Sequence, residues 1–265
     1  MLERSLEYLS QQLGNFTPDT AIILGSGLSG LTSAIENPIV IPYSQIPDFP
    51  QTKVVGHEGC FCFGKIGKHQ IVCMQGRFHL YEGIEPKLIY AIIHMLKNLG
   101  IKQLIVTNAS GSLDENMVPG SIMLISDHIN FSGQNPLIKA HEMPSFPDMS
   151  EAYDSKLREK MHQIAHNHGI KLFEGVYIMV MGPNYETPAE VKLFKSFGAR
   201  AVGMSTVPEV ISAVFDKIKV LGISVISNLG TGLTDKPQTH EDVIATVAKS
   251  VATMNYLITQ LLNGE

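Results

Sequence analysis

Cysteine is scarce in this 265-residue chain, which has only Cys60, Cys62 and Cys73. So odd and sparse a set argues against a disulfide framework, and the cytoplasm is the expected compartment. A surplus of positive charge is missing too. With 20 Lys and Arg against 25 Asp and Glu the formal net charge is -5, whereas affinity for a nucleic-acid backbone comes from clustered cations. No nucleic-acid partner is expected; a small, locally held anion is still admissible. No apolar run reaches the roughly 20 residues of a membrane-spanning helix, so no membrane partner is expected. Leu2, Leu6, Leu9 and Leu13 recur at helical spacing between charges, the pattern of an amphipathic helix and not of a secretory signal. Linkers and low-complexity tracts are absent, and residues 1–265 are read as one domain around one large core.

What the chain has in quantity is short apolar runs alternating with helical patterns. The runs at 20–25, 60–76, 103–111, 121–130, 175–183 and 219–228 read as buried strands. Pro86 opens a helix that Gly100 closes. Thr187 and Glu190 in "TPAE", and Thr206 and Glu209 in "TVPE", have the spacing of capping boxes. A long helix starts after Thr239. The expected fold is an α/β domain with a largely parallel sheet and a hairpin near "GKIGKHQ". Five strands end in polar, glycine-bearing tails: "GSG", "GRFH", "TNASG", "MGPNYE" and "SNLGTG". Ligands of open α/β sheets bind outside such strand ends.

"GSGLSG" (25–30) follows a strand and formally matches the dinucleotide fingerprint. The next strand, however, ends in Tyr43, Ser44 and Gln45 without the acidic residue a dinucleotide ribose needs. A phosphate-sized cradle at a helix start, with the Ser26 hydroxyl as a further donor, is the preferred reading; an NAD-dependent oxidoreductase is the alternative. "GRFHLYEG" (76–83), taken as extended, puts Arg77, His79 and Tyr81 on one face and Phe78 and Leu80 on the other. Arg77 can grip an oxyanion with two donors, His79 can add another, and Glu82 can orient either cation. His57 sits in a glycine loop, "GHEG". Tyr185 and Glu186 precede a capped helix, and Asn228 ends a strand with an amide that donates and accepts. His162 and His166 stand four apart but belong to an ordinary solvated face, and Cys60 and Cys62 read as small buried hydrophobes.

Taken in order, "LGSGL", "GHEG", "QGRFHLYEG", "TNASG", "SDHINFSGQNPL", "FPDMSEAYD", "GPNYETPAE", "VGMSTVPE", "ISN" and "THEDV" resemble the trimeric purine nucleoside phosphorylase family across residues 20–245. The resemblance implies a mixed β-sheet closing into a distorted barrel flanked by helices. It also implies reversible phosphorolysis of inosine or guanosine without metal or organic cofactor, inorganic phosphate being the co-substrate. By motif position, Ser26, Arg77, His79 and Ser205 would hold phosphate with the backbone of Ala109, and His57 would close over it. Tyr81, Met204 and His240 would meet the ribose. Tyr185 would stack on the purine while Glu186 and Asn228 read its edge, which favours 6-oxopurines. Phe146 would reach a neighbouring subunit's sugar site, hence a homotrimer. A catalytically silent nucleoside-binding protein shares these residues. The chain departs from the family at Ser110, at "LGTG" after Asn228, and in a shorter segment before Phe146.

Overall fold

The structure, a computed structural model, describes residues 1–52, 57–140, 146–234 and 240–264, with backbone alone for residues 29, 240–244 and 249. Among the described residues nine strands form one sheet: β1 (Thr20–Ile23), β2 (Glu36–Pro42), β3 (Cys60–Ile66), β4 (His69–Gln75), β5 (Gln103–Ser112), β6 (Ile122–Asn130), β7 (Leu172–Met179), β8 (Ala199–Gly203) and β9 (Lys219–Leu229). The order is β2-β3-β4-β1-β5-β8-β7-β6-β9, and β9 pairs back onto β5. The last five strands in that order therefore close into a barrel, and the other four extend from it as an open wing. Closure explains the sheet's mixture. Parallel pairs (β1–β4, β1–β5, β5–β9, β6–β7, β7–β8) are nearly matched by antiparallel ones (β2–β3, β3–β4, β5–β8, β6–β9), so the sheet is less parallel than its apolar runs suggest.

Among the described residues six α-helices pack around it: α1 (Glu3–Leu13), α2 (Pro86–Asn98), α3 (Ser155–Asn167), α4 (Pro188–Ser196), α5 (Val207–Phe215) and α6 (His240–Asn263). Successive residues of one strand belong to two different cores. In β1, Ala21 and Ile23 join α1, α2 and the barrel interior, whereas Ile22 joins the apolar faces of α3 and α6. A strand covered on both faces needs apolar residues at every position, which is why these segments read as unbroken runs. All three cysteines are buried, and Cys62 opposes Cys73 across β3 and β4.

The helix ends show local chemistry winning in one place and losing in another. In α4, the Thr187 hydroxyl accepts from the Glu190 N–H, and Glu190 accepts from the Thr187 N–H at 2.7 Å, completing the expected box. The same spacing at Thr206 and Glu209 forms no box. Thr206 has φ 81° with no side-chain cap, and Glu209 turns inward, 4% exposed. A buried cation claims Glu209, as described below. His162 and Arg158 both meet Glu174, so His162 is a side-chain partner of that carboxylate on α3.

Candidate active site

All five glycine-bearing strand tails converge on one cleft of about 690 Å³, counting its open mouth. Gly25 and Ser26 come from the end of β1, Arg77, His79 and Tyr81 from beyond β4, and Asn108 to Gly111 from β5. Tyr185 and Glu186 precede α4, and Ser227 and Asn228 end β9. A sixth contributor is β8 with the turn after it, Val202 to Ser205.

The stretch from 76 to 83 is not the strand its alternation suggests. β4 stops at Gln75, Gly76 turns the chain at φ 135°, and a 3-10 turn occupies Leu80–Glu82. The division of faces nevertheless holds, because Phe78 and Leu80 enter the core while Arg77, His79 and Tyr81 line the cleft. Arg77 is only 1% exposed. Its Nε donates to Glu209 Oε1 at 3.0 Å and its Nη1 to the Thr107 carbonyl at 2.6 Å. Nη2 lies 2.9 Å from the same Glu209 oxygen without hydrogen-bond alignment, so this buried nitrogen keeps N–H groups without an acceptor. Glu82 orients His79 and not Arg77: it accepts from the His79 backbone N–H at 2.8 Å and lies 3.2 Å from the His79 Nδ1.

His57, His79 and Tyr81 stack in series, with ring centroids 5.5 and 4.7 Å apart. His57 Nε2 is 3.1 Å from Ser26 Oγ, and its Nδ1 sits against the Arg77 backbone. Burial, aided by the neighbouring His79 and Arg77, pushes the His57 imidazole down to about 4. Burial lowers His79 as well, against the pull of Glu82. The His57 ring is therefore neutral at pH 7. Burial and then Glu82 raise the Tyr81 phenol to about 12.

Local backbone geometry sets the rest. Gly25 passes so close to β5 that a Cβ there would lie 2.9 Å from Asn108 Cα, and its N–H donates to Thr107 Oγ1. The glycine loop leads into a six-residue 3-10 helix, Ser29–Ala34, and not the α-helix that a phosphate cradle at a helix start would use. Between β5 and β9 the register slips: Ser110 faces Ile226 but Gly111 faces Asn228, so Ser227 is the extra residue of a bulge. The bulge turns Asn228 toward the cleft. A Cβ on Gly111 would come within 3.2 Å of its amide nitrogen. Glu186 is 7% exposed; burial raises its carboxyl above the ordinary 4.5, against a hydrogen bond from its own backbone N–H.

Of the residues singled out from sequence, Ser26, Arg77, His79, Tyr81, Ala109, Tyr185, Glu186, Met204, Ser205 and Asn228 share this cleft. His57 backs it through Ser26. Phe146 is 91% exposed and is not among the residues that line it, and the side chain of His240, the first residue of α6, lies outside the described residues. Glu209 and Thr206 were missed as parts of the site. Their only signal was "TVPE", whose capping spacing concealed a buried acid.

The Phosphorylase superfamily profile matches residues 19–263. A purine nucleoside phosphorylase 1 of Geobacillus stearothermophilus is 46% identical over 251 residues, 94% of this chain and 91% of that one. A Schistosoma mansoni purine nucleoside phosphorylase solved with inosine superposes with a TM-score of 0.92 at 36% identity, covering 100% of this chain and 96% of that one. The schistosome enzyme solved with adenosine gives 0.93 at 36% identity, over 99% and 96%. With the fold and nearly the whole length in common, this chain belongs to the purine nucleoside phosphorylase family.

Proposed function

We propose that the cleft carries out reversible phosphorolysis of purine nucleosides, chiefly inosine, guanosine and their 2'-deoxy forms, giving the free base and (2-deoxy)ribose 1-phosphate. One observation carries the reading: a cationic, donor-rich end (Arg77, His79, Ser26, Ser205) and a base-reading end (Glu186, Asn228) line the same cavity.

Inorganic phosphate, the co-substrate, lies at the first end. An anion there supplies acceptors to the guanidinium nitrogen that has none, and Ala109 adds its backbone. Phosphate attacks the anomeric carbon as the C–N bond breaks, and the electron pair of that bond departs with the purine. Holding both reactants in line can supply about 7–11 kcal/mol of barrier reduction. The purine takes up negative charge, which a donor from Asn228 stabilises at N7. Ionised Glu186 accepts from N1–H of a 6-oxopurine and from the 2-amino group of guanine. Adenine offers a lone pair at N1, and leaving a buried acceptor unpaired costs about 1–3 kcal/mol. Tyr81, Met204 and His240 meet the ribose, Tyr185 stacks on the base, and His57 closes over phosphate through Ser26.

The exposed Phe146 fits a residue given to a neighbouring subunit in a homotrimer, and three buried free thiols suit the reducing cytoplasm. The whole chain acts as one domain. Base release from inosine, guanosine, xanthosine and adenosine, with and without phosphate, tests the reading. Phosphate-dependent release of hypoxanthine and guanine is expected to exceed that of adenine at least tenfold; equal rates for adenosine and inosine, or release without phosphate, contradict it. Binding of inosine with no release at all would leave a nucleoside-binding protein.

A further inference from the structure

A line of five polar side chains runs between β9, β5 and the turn after β8 along the floor of the cleft: Ser110, Ser224, Asn108, Thr206 and Ser205, from 0 to 8% exposed. Ser110 Oγ is 2.5 Å from Ser224 Oγ, Ser224 Oγ is 2.6 Å from Asn108 Oδ1, Asn108 Nδ2 is 2.8 Å from Thr206 Oγ1, and Thr206 Oγ1 is 3.2 Å from Ser205 Oγ. The amide gives this line a direction. Its oxygen can only accept, so Ser224 spends its single hydrogen on Asn108, and Ser110 must then donate to Ser224. At the other side the amide nitrogen donates to Thr206. The Thr206 hydrogen has only Ser205 Oγ within reach among the described residues. Ser205 is thereby left with its own hydrogen for the cleft it lines.

Turning the Asn108 amide over reverses every bond. Thr206 would donate to the amide oxygen, Ser205 would donate to Thr206, and the cleft would meet Ser205 lone pairs. A phosphate oxygen also presents lone pairs and is repelled by that arrangement. The backbone supports the line as well: Thr206 is held at φ 81°, a conformation a β-branched residue rarely takes.

We propose that Ser224, Asn108 and Thr206 are positioning residues for phosphate: together they hold the Ser205 hydroxyl as a donor toward a phosphate oxygen. The same polarity commits the hydrogen of Ser110, so its hydroxyl offers an acceptor and not a donor to a nucleoside. The proposal rests on the reading of Ser205 as a phosphate contact.

Steady-state kinetics of Ser205→Ala, Ser224→Ala, Thr206→Val and Thr206→Ser, with phosphate and inosine varied separately, test it. The phosphate-induced rise in melting temperature without nucleoside gives a second readout. Ser224→Ala and Thr206→Val are expected to raise the KM for phosphate about tenfold, the cost of one charge-assisted hydrogen bond, and to shrink the thermal shift. The KM for inosine should stay within about twofold. Thr206→Ser, which keeps the hydroxyl, should restore most of what Thr206→Val loses. An unchanged phosphate KM in Ser224→Ala and Thr206→Val, or equal rises for phosphate and inosine, overturns the proposal. If Ser224→Ala does not fold, the Thr206 pair decides alone. Should Ser205→Ala itself leave phosphate KM unchanged, the phosphate role of Ser205 fails. If Ser205→Ala responds and the others do not, the relay alone fails.

Discussion

Arg77 and Glu209 form an ion pair in which both side chains are almost fully enclosed. From sequence, Arg77 looks like a strand residue facing a ligand, and its removal would then spare the fold. The structure changes that expectation. Arg77→Ala strands a buried carboxylate, and breaking such a pair costs about 3–5 kcal/mol. Denaturant unfolding should show that loss, and the double variant Arg77→Met, Glu209→Met should recover most of it while remaining unable to use phosphate. Equal stability of Arg77→Ala and the wild type would contradict the pairing. Glu186 makes a different kind of prediction. Its carboxyl is raised by burial, so the stability it contributes is full below the ordinary 4.5 and is lost as pH rises through its raised folded value. Glu186→Gln escapes that loss and should melt higher than wild type at pH 7 while turning over inosine more slowly. The activity follows the opposite sign: as pH falls through the same value, Glu186 gains a proton, stops accepting from N1–H and can donate to adenine N1. The inosine-to-adenosine ratio of kcat/KM should therefore drop with pH, and a flat ratio in the wild type would count against Glu186 as the reader of the base. Residue identities such as Glu186 and Asn228 were legible in the sequence because polar groups punctuated apolar runs. Glu209 was not, because an acid at a helix N-terminus has a common local explanation and only the tertiary position of Arg77 overrides it.

At the level of elements, the strand and helix positions could be read because each carries its own period or its own caps. Six apolar runs appear as strands, and α2 and α4 begin where Pro86 and Thr187 indicated. What could not be read is pairing. β8 is five residues long and contains an arginine, too little pattern to register alone. The antiparallel contacts of β8 with β5 and of β6 with β9 are long-range facts with no local signature. The 3-10 turn at Leu80–Glu82 replaced a strand because Gly76 and the reciprocal bonds of His79 and Glu82 offered the backbone a better local solution. Two variants test elements directly. Thr187→Ala removes the α4 cap and should cost about 1 kcal/mol, read as a fall of about 2–4 °C in melting temperature. Gly25→Ala pushes a methyl against the backbone of β5 and should displace the Ser26 loop. Its kcat/KM for phosphate should fall further than that for inosine, and a methyl accommodated with no kinetic effect would show that the close approach is not needed.

For the whole molecule, barrel closure is what turns six scattered strand ends into one site. β5 pairs with β1, β8 and β9, so it brings the glycine loop, the Met204–Ser205 turn and the Asn228 bulge around the same opening. Phe146 stands outside this arrangement, and the proposed trimer supplies its purpose. Sedimentation should give three copies of the chain, and Phe146→Ala should raise the KM for nucleoside with little change for phosphate; a monomer of full activity would refute the shared site. The central claim is that one cleft holds an anion and a purine at opposite ends of a pentose. A crystal structure with phosphate and inosine bound tests it most directly. Phosphate is predicted within hydrogen-bond distance of Ser26, Arg77, His79 and Ser205, with the purine edge on Glu186 and Asn228. Phosphate or purine seated in separate cavities would contradict the account.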